Sequence, residues 1–352
     1  MIKDEYCVIG VMSGTSLDGI DLVYATFSFT DRWDFKILNT ETIAYSSHWY
    51  AILKDLITKS LDELKTIDVD YTKYLGGVIQ EFINKHQITN IDAICSHGHT
   101  ALHQPENKLT YQIGNLPFLA DMLSETVVCD FRVQDVELGG QGAPLVPIGD
   151  QLLFSDYDYC LNLGGFANIS MDLNEARIAY DICPVNIVLN KYAKQLGFDY
   201  DDGGQIAASG THLLALGSQL NALGFYKEKP PKSLGLEWVN KNIFPLLEAL
   251  KLKEKDVLRT FSDHIAQQIA RVLQKDSKVL VTGGGAYNSY IISKIKSNKR
   301  VDIIIPTPEL VEFKEALIFA FLGILKLRNE VNCLSSVTGA IKNHSSGKIF
   351  LP

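Results

Sequence analysis

Tyr6-Cys-Val-Ile-Gly-Val-Met12 leads into Ser13-Gly-Thr-Ser-Leu-Asp-Gly19 and then into Ile20-Asp-Leu-Val-Tyr-Ala-Thr-Phe-Ser-Phe29 near the start of the chain. The two outer segments are rich in β-branched and aromatic residues, whereas the middle is polar and bounded by glycine. This pattern predicts a β-hairpin with a functional turn. A lysine-bearing phosphate loop would end in Gly-Lys-Ser/Thr and enter a helix, so the sequence excludes that loop here.

Two more glycine turns follow strand-like segments. One contains Gly164 and Gly165 between Asn162 and Asn168, and the other is Gly283-Gly-Gly-Ala-Tyr-Asn288. Taken singly, such turns need no function, because glycine accepts positive φ most readily. All three turns also carry hydroxyl, amide or carboxylate groups, and backbone N–H groups with hydroxyls can hold phosphate oxygens without a lysine. Together they favour phosphate binding.

Helical and strand patterns alternate along the chain. They predict helices at His48–Ser60, Tyr71–His86, Asn186–Leu196, Asp256–Lys275 and Glu309–Leu327, and strands at Asp92–Cys95, Thr126–Cys129 and Val301–Ile305. This alternation is typical of an α/β architecture. The length of 352 residues exceeds the roughly 100 to 200 of a typical domain, so we expect two domains with a cleft available for a ligand.

Composition excludes several classes of protein. The net charge of -8 makes nucleic acid a poor partner, because such binding begins with clustered Lys and Arg. Six scattered cysteines without a C-x-x-C pair indicate reduced thiols of a cytoplasmic protein. The acidic N-terminus does not resemble a signal peptide, and the most apolar window, Ala316 to Leu325, is about half of the ~20 residues that a membrane helix needs. We expect a soluble protein without membrane contact.

The order of motifs resembles one family, the anhydro-N-acetylmuramic acid kinases of the actin, hexokinase and Hsp70 superfamily. The resemblance spans nearly the whole chain and rests on Ile9-Gly-Val-Met-Ser-Gly-Thr-Ser-Leu-Asp-Gly-Ile-Asp21, Ser96-His-Gly-His-Thr100, Asp130-Phe-Arg132, Gly139-Gly-Gln-Gly-Ala-Pro-Leu-Val-Pro147, Asn162-Leu-Gly-Gly-Phe-Ala-Asn168, Gly283-Gly-Gly-Ala-Tyr-Asn288, Glu315-Ala-Leu-Ile-Phe-Ala320 and Val337-Thr-Gly-Ala340. The Gly-Gly-Gly match alone is weak, but the first motif is long and the set is collinear.

This resemblance implies two ribonuclease-H-like, actin-like ATPase domains with a central cleft. Residues 1–130 plus 330–352 are expected to form the first domain, and residues 131–329 the second. The implied reaction opens the 1,6-anhydro bridge of a cell-wall sugar with water and transfers the γ-phosphoryl of ATP to the freed 6-oxygen. The product is N-acetylmuramic acid 6-phosphate. ATP and Mg²⁺ are the implied cofactors, and a homodimer is expected.

The resemblance also implies site residues. The residues expected to bind ATP are Gly14, Thr15, Ser16, Leu17, Asp18, Gly19, Ile20, Asp21, Asn162, Gly164, Gly165, Asn168, Gly283, Gly284, Gly285 and Asn288. Asp18 would contact Mg²⁺, directly or through water, although an ordinary Asx turn before Gly19 is an equal alternative. Asp181 matches the catalytic aspartate and would act as general base; without the family it would be interpreted as the cap of a helix from Asn186.

For the sugar, the resemblance points to His97, Arg132, Asp135 and Gln141. Arg132 is the natural partner of the lactyl carboxylate, and a salt bridge to Asp130 or Asp135 is its alternative. The cluster of His97, His99 and His103 lacks a suitably spaced fourth ligand for a metal.

Two loops depart from the family pattern. The chain has Asp181-Ile-Cys-Pro-Val-Asn186 where the family usually reads Asp-Thr-Gly-Pro-Gly-Asn, and Lys232-Ser-Leu-Gly-Leu-Glu237 where it reads Lys-Ser-Thr-Gly-Arg-Glu. Ile182, Cys183, Val185 and Leu236 therefore leave the accepted sugar open. A kinase for a related amino sugar, or an ATP-binding regulatory module without catalysis, are the alternatives. A dehydrogenase is disfavoured, because no G-x-G-x-x-G opens a helix after the first strand.

Overall fold

The computed structural model of the chain describes residues 2–14, 17–249 and 252–352. It divides into two compact units, unit 1 with residues 1–153 and 313–352 and unit 2 with residues 154–312. Each unit has its own β-sheet and its own hydrophobic core.

The secondary structure elements are numbered in chain order. The strands are β1 (Glu5–Ser13), β2 (Ile20–Phe29), β3 (Trp33–Ile43), β4 (Ala93–Gln104), β5 (Leu109–Ile113), β6 (Val127–Cys129), β7 (Tyr159–Leu163), β8 (Phe166–Leu173), β9 (Ala176–Pro184), β10 (Lys278–Thr282), β11 (Asp302–Ile304) and β12 (Lys348–Phe350). The helices are α1 (Ser47–Lys54), α2 (Leu61–His86), α3 (Phe118–Leu123), α4 (Val133–Glu137), α5 (Val146–Leu153), α6 (Asn186–Gln195), α7 (Gln205–Ser209), α8 (Leu214–Ala222), α9 (Leu236–Asn242), α10 (Phe244–Glu248), α11 (Glu254–Val272), α12 (Ser289–Asn298), α13 (Pro308–Leu327) and α14 (Ser335–Thr338).

The two sheets share one strand order. In unit 1 the order is β12-β6-β4-β1-β2-β3, with β5 paired to β4, and in unit 2 it is β11-β10-β7-β8-β9. In each sheet the first three strands are antiparallel neighbours, and the next two central strands run parallel to the first. This is the strand order of the ribonuclease-H-like fold. The predicted class, an α/β protein with two ribonuclease-H-like, actin-like domains, is confirmed.

The core of unit 1 explains the apolar runs of the sequence. Every residue of β1 after Glu5 is buried, as expected for a central strand that is covered on both faces. The window Ala316 to Leu325 is buried throughout, because an all-apolar helix belongs in a core. Among the described residues, no helix has the length and apolar character needed to cross a membrane.

The unit boundaries differ from the predicted ones. Residues 131–153 and 313–329 were predicted in the second domain, but the structure places them in unit 1. The reason is close packing of helix against sheet: a β-carbon on Gly10 would overlap the Ala316 carbonyl, and one on Gly323 would overlap Cys95 of β4. No linker-like composition marks these boundaries in the sequence.

Several elements are longer or shorter than predicted. Helix α2 begins at Leu61, ten residues before the predicted start at Tyr71, and its N-terminus is closed by a capping box of Ser60 and Glu63. The helix predicted at His48–Ser60 ends as α1 at Lys54 and is followed by a 3₁₀ turn at Leu56–Thr58. The first hairpin forms as predicted, with Ser13 paired to Ile20 across β1 and β2.

Candidate active site

The turn between β1 and β2 is the first part of the candidate site. Leu17 has a φ of 63°, and its N–H donates to the Gly14 carbonyl at 3.4 Å. Asp18 is exposed. Gly19 lies so near β3 that an added β-carbon would be 2.6 Å from the Ile43 carbonyl oxygen, so a larger residue does not fit at this position. Two predicted ATP contacts of this turn, Thr15 and Ser16, lie outside the described residues.

The residues after this turn differ in what they can offer a ligand. Ile20 is fully buried in the core of unit 1, so only its backbone is available to a nucleotide. Asp21 is half-buried and its carboxylate accepts a hydrogen bond from the Thr42 hydroxyl at 2.6 Å.

A buried hydroxyl network fixes the start of the turn. The Ser13 hydroxyl lies 2.5 Å from the Tyr45 hydroxyl, 2.6 Å from the Tyr71 hydroxyl and 3.1 Å from Nδ1 of His99. The two tyrosine hydroxyls are themselves 2.9 Å apart. Burial lowers the pKa of His99 to about 4, so its ring is neutral at pH 7 and the network carries no charge there. It ties the last residue of β1 to α2 and β4.

In unit 2 the other two glycine turns lie side by side. They meet because β7 and β10 are parallel neighbours, with Asn162 in register with Thr282. A β-carbon on Gly283 would lie 2.5 Å from the Asn162 side-chain oxygen, and one on Gly285 would lie 2.7 Å from the Leu163 β-carbon. Gly165 is exposed, and no atom would contact a β-carbon on it or on Gly284. Close packing therefore excludes a side chain at Gly283 and Gly285, whereas a side chain at Gly165 or Gly284 would meet none of the described atoms.

One row of polar side chains crosses four strands of unit 2. Thr282 on β10 is in register with Asn162 on β7, and Asn162 with Asn168 on β8. Asn168 in turn is in register with Asp181 on β9. Residues in register on neighbouring strands project to the same face, so the predicted base lies on the same face as the two predicted asparagines. The Thr282 hydroxyl is buried and has no hydrogen-bond partner among the described residues.

The carboxylate of Asp181 is held on one side only. Oδ2 accepts a hydrogen bond from the Leu234 backbone N–H at 2.8 Å, and the Asp181 N–H donates to the Lys232 carbonyl at 3.1 Å. Oδ1 has no partner within the described residues. Burial raises the pKa of Asp181, and the Leu234 hydrogen bond opposes this rise. Asp181 does not cap α6, because Val185 is the N-cap residue and no side chain caps that helix.

A β-bulge accounts for the position of Asp181 and for the unusual residues after it. The register of β8 and β9 shifts between Ala167 and Asn168, so that Ile182 is the extra residue. Ile182, Cys183 and Val185 are at most 3% exposed and belong to the core of unit 2. Burial raises the pKa of the Cys183 thiol, as expected for a side chain packed in the core. These replacements therefore fill the core.

The side chain of Asn288 caps a helix. Its side-chain oxygen accepts from the Ile291 N–H at 3.0 Å and so caps α12. The side chain is 8% exposed and lies against Gly204, on which a β-carbon would overlap it. The predicted ATP contact of Asn288 remains untested, and the geometry assigns its amide oxygen to the helix cap.

On the sugar side, Arg132 and His97 form one pair. Nε of Arg132 donates to Nε2 of His97 at 2.8 Å, and Nη1 donates to the Gly142 carbonyl at 2.5 Å. The other ring nitrogen of His97 donates to the Gly98 carbonyl at 2.7 Å. Burial and the nearby Arg132 charge lower the pKa of His97, which keeps it neutral as an acceptor. Both ring nitrogens are therefore used, and His97 positions Arg132. The predicted contact of His97 with the sugar stays a prediction.

Among the described residues, Arg132 forms neither of its two alternative salt bridges. Asp130 pairs with Lys348 at 2.6 Å. Asp135 is fully buried and accepts from the Gly142 N–H at 2.7 Å and from the Thr338 hydroxyl at 2.7 Å. Asp135 has no exposed surface and holds the turn 139–142. Its predicted contact with the sugar stays a prediction. Gln141 on this turn is exposed, and its backbone N–H donates to the Thr338 carbonyl at 2.8 Å.

Several carboxylates of unit 1 could hold a divalent cation. Asp18 is exposed and forms no ion pair among the described residues. On α13, burial raises the pKa of the Glu315 carboxyl, while the nearby charges of Arg132 and Lys314 lower it. Carboxylate oxygens are the hard ligands that Mg²⁺ prefers. The exposed Asp18 carboxylate therefore fits this ion.

Sequence reasoning missed several residues of the site. Tyr45 and Tyr71 were not singled out, and His99 was considered only as a metal ligand. The Leu234 N–H could not be found from sequence, because any residue except proline supplies such a donor. Thr282 was also missed. Its position immediately before Gly283 is the signal that could have identified it.

Comparisons with known proteins agree with the motif order. The family model for anhydro-N-acetylmuramic acid kinase matches residues 6–352. The chain is 33% identical to the anhydro-N-acetylmuramic acid kinase of Francisella tularensis subsp. novicida, over 99% of each chain. It is 34% identical to that of Mannheimia succiniciproducens, over 99% of this chain and 100% of the relative.

Solved structures match at lower identity. Component A of the (R)-2-hydroxyglutaryl-CoA dehydratase of Acidaminococcus fermentans has a TM-score of 0.46 at 13% identity, covering 92% of this chain and 99% of that chain. A xylulose kinase of Lactobacillus acidophilus has a TM-score of 0.44 at 12% identity, covering 98% of this chain and 94% of that chain. The fold assignment rests on the strand order of the two sheets. With a full-length family match and relatives of equal length, the chain belongs to the anhydro-N-acetylmuramic acid kinase family of ATP-dependent sugar kinases.

Proposed function

We propose that this chain opens the 1,6-anhydro bridge of anhydro-N-acetylmuramic acid with water and phosphorylates O6, giving N-acetylmuramic acid 6-phosphate and ADP. Family membership supports the substrate and the reaction. The single observation that carries the mechanism is Asp181, with one carboxylate oxygen held by the Leu234 N–H and the other without a protein partner. Such a carboxylate is oriented, and it keeps one oxygen for a water molecule.

The reaction has a defined electron flow. Asp181 takes a proton from water as the water oxygen bonds to the anomeric carbon C1. The C1–O6 bond breaks and its electron pair stays on O6. O6 then bonds to the γ-phosphorus of ATP as the bond from that phosphorus to the bridging oxygen breaks, and ADP leaves. Such a phosphoryl transfer mainly requires that the reacting groups are oriented and that the negative charge on the phosphoryl group is stabilised.

The ATP residues are proposed from their position in the turns. The backbone N–H groups of Gly14, Leu17, Asp18 and Gly19 would hold phosphate oxygens, as those of tight turns do. In unit 2, the proposed nucleotide contacts are Asn162, Asn168, Gly164 and the two glycines with open space, Gly165 and Gly284. Mg²⁺, when bound, offsets the triphosphate charge, and Asp18 is the carboxylate proposed to hold it, directly or through water.

The sugar residues are proposed from charge and exposure. Arg132, held by His97 and the Gly142 carbonyl, keeps Nη2 for the lactyl carboxylate of the sugar. Gln141 is the exposed amide of the neighbouring turn and would bind a hydroxyl or the N-acetyl group.

The working compartment is also a proposal. Six buried cysteines without a disulfide and the use of ATP support the cytoplasm. A homodimer stays a prediction, and light scattering on the purified protein measures it.

Asp181→Asn tests the proposed base. We expect kcat on the anhydro sugar to fall about 10³-fold, because an amide does not accept the proton of water, while ATP binding persists. ADP release measured in a coupled assay gives kcat, and Asp199→Asn, an exposed aspartate of unit 2, is the matched control. Wild-type turnover in Asp181→Asn would contradict the assignment of the base.

Isotope labelling tests the order of bond changes. In ¹⁸O-water, the label should enter at C1 and not the phosphate, because water attacks carbon and O6 comes from the sugar. Mass spectrometry of the sugar phosphate distinguishes these positions. Phosphorylation of an ordinary amino sugar, but not of the anhydro sugar, would instead establish the related-sugar kinase.

A further inference from the structure

Three buried side chains of different chemistry meet in unit 1, beside the turn 139–142. Asp135 comes from α4, while Cys333 and His344 face each other on an isolated antiparallel bridge of the C-terminal segment. Their exposed fractions are 0%, 1% and 5%. One carboxylate oxygen, the sulfur and one ring nitrogen all lie within 4.8 Å of one another.

The spacing of these atoms is close to that of a tetrahedral metal site. Asp135 Oδ1 is 3.1 Å from the Cys333 sulfur and 3.6 Å from Nε2 of His344. Zinc bonds of about 2.0 Å to nitrogen or oxygen and about 2.3 Å to sulfur place tetrahedral donors about 3.3 to 3.5 Å apart. The two measured distances differ from these values by a few tenths of an ångström.

The hydrogen bonds of His344 point to a ligand at Nε2. Nδ1 lies 3.1 Å from the Lys342 carbonyl oxygen, which only accepts, so Nδ1 carries the hydrogen. In the neutral ring Nε2 then has a free lone pair, and it is buried without a hydrogen-bond partner among the described residues. Histidines that bind metals usually donate their other N–H to a carbonyl or carboxylate in this way.

We propose that Asp135, Cys333 and His344 bind one Zn²⁺ ion, with water in the fourth position. On binding, the Cys333 sulfur loses its proton to solvent as it bonds to the metal, and no group is oxidised or reduced. The carboxylate and the thiolate then balance the two positive charges. A mixed set of sulfur, nitrogen and oxygen donors suits Zn²⁺ better than Mg²⁺ or Ca²⁺.

The site would connect the C-terminal segment to the turn that carries Gln141. Asp135 Oδ2 accepts from the Gly142 N–H, while Oδ1 faces Cys333 and His344. An ion there would hold both segments to α4. Because a metal that binds only the folded protein stabilises it by mass action, Zn²⁺ should raise the Tm by several degrees.

Cobalt substitution provides a direct test that does not depend on catalysis. The full chain is reduced, stripped with a chelator and titrated with Co²⁺. We expect one Co²⁺ per chain, with a thiolate-to-cobalt absorption band and the strong visible bands of a tetrahedral site, both removed by one equivalent of Zn²⁺. A wild-type protein without these bands would overturn the proposal.

Variants assign the ligands. Cys333→Ser keeps a donor to Asp135 and should fold, but it should lose the thiolate band, and His344→Gln should weaken Co²⁺ binding at least tenfold. Cys7→Ser, which alters a buried thiol on β1, is the control and should retain the full spectrum. A thiolate band that persists in Cys333→Ser would place the metal elsewhere. Circular dichroism of each variant verifies that it is folded.

Discussion

At the residue scale, the environment of Asp181 sets its protonation. Burial raises the pKa of this carboxyl, and the Leu234 N–H, which stabilises the charged form, only partly offsets the effect. The ordinary pKa of an aspartate is 3.8. Only the deprotonated form can act as a base, so activity is present above the raised pKa and is lost as the pH falls through it.

We therefore expect the acidic limb of kcat/KM to lie above pH 3.8. The limb is measured with the coupled assay from neutral pH downwards, and circular dichroism at each pH separates titration from unfolding. A limb at or below the ordinary aspartate value, in protein that is still folded, would contradict the effect of burial.

Tyr71 tests the network that holds the first turn. Its fully buried hydroxyl bonds to Ser13 and Tyr45, so Tyr71→Phe leaves these hydroxyls with one partner fewer. We expect a loss of about 1 to 2 kcal/mol in the free energy of unfolding and a higher KM for ATP. Chemical denaturation and steady-state kinetics measure the two effects.

Tyr74→Phe is the matched control for Tyr71→Phe. Tyr74 belongs to the same aromatic group, stacking on Trp49 at 5.0 Å, but its hydroxyl has no hydrogen bond in the described part of the chain. Its loss should change neither quantity measurably. Equal effects of the two substitutions would show that the Tyr71 hydroxyl has no special part in holding the turn.

At the element scale, the turn 139–142 depends on a glycine that lies against a carboxylate. A β-carbon on Gly140 would overlap both oxygens of Asp135, whose side chain is fixed by Gly142 and Thr338. We expect Gly140→Ala to cost about 2 to 4 kcal/mol of unfolding free energy, as a forced shift in a packed core does.

Gly139→Ala is the comparison for that substitution. Gly139 has a φ of 81°, and a β-carbon there would meet no atom within 4 Å. Gly139→Ala should lower the unfolding free energy by only roughly 1 to 2 kcal/mol, which is the cost of placing an L-residue in the left-handed conformation. Denaturant unfolding of both variants measures the two losses of free energy. A smaller loss for Gly140→Ala than for Gly139→Ala would show that the Asp135 side chain can move aside.

At the scale of the whole molecule, the two units differ in how the chain builds them. Unit 2 is one continuous segment, and its core comes entirely from residues 154–312. Unit 1 needs two segments, because α13 packs on Gly10 and Gly323 packs on β4. We expect the fragment 154–312 to unfold cooperatively on its own, whereas the fragment 1–153 should lack a cooperative transition. Thermal melts by circular dichroism test both, and a cooperative melt of 1–153 would contradict the role of α13.

Local patterns predicted the parts of the fold that depend on neighbours in sequence. The hairpin of β1 and β2 and the strand-turn-strand of β7 and β8 followed from alternating apolar strands around glycine. Strand β3, Trp33–Ile43, was missed because half-exposed and exposed residues interrupt its apolar pattern. The capping box at Ser60 was present in the sequence as Ser-Leu-Asp-Glu, but the helix was placed from its later apolar spacing.

The site was predictable in its residue types and less so in its contacts. Motif resemblance selected Asp181 and Arg132, which remain the central groups of the proposal. The Arg132 partner of His97 lies 35 positions away in sequence, and the Leu234 donor lies 53 positions from Asp181. No local pattern encodes such contacts, because the tertiary fold brings the groups together.

Unit 1 is formed by two separate segments of the chain, and this affects how it folds during synthesis on the ribosome. Residues 313–352 are made after all of unit 2, so the sheet that contains the first hairpin cannot acquire α13 until unit 2 has been synthesised. Unit 2 is finished earlier and, since domains fold as units during translation, should reach its native state first. Protease treatment of ribosome-bound chains, arrested after residue 312 has emerged, should leave unit 2 resistant and the earlier residues sensitive. Unit 2 would then fold before unit 1, although the ribosome starts to synthesise unit 1 first.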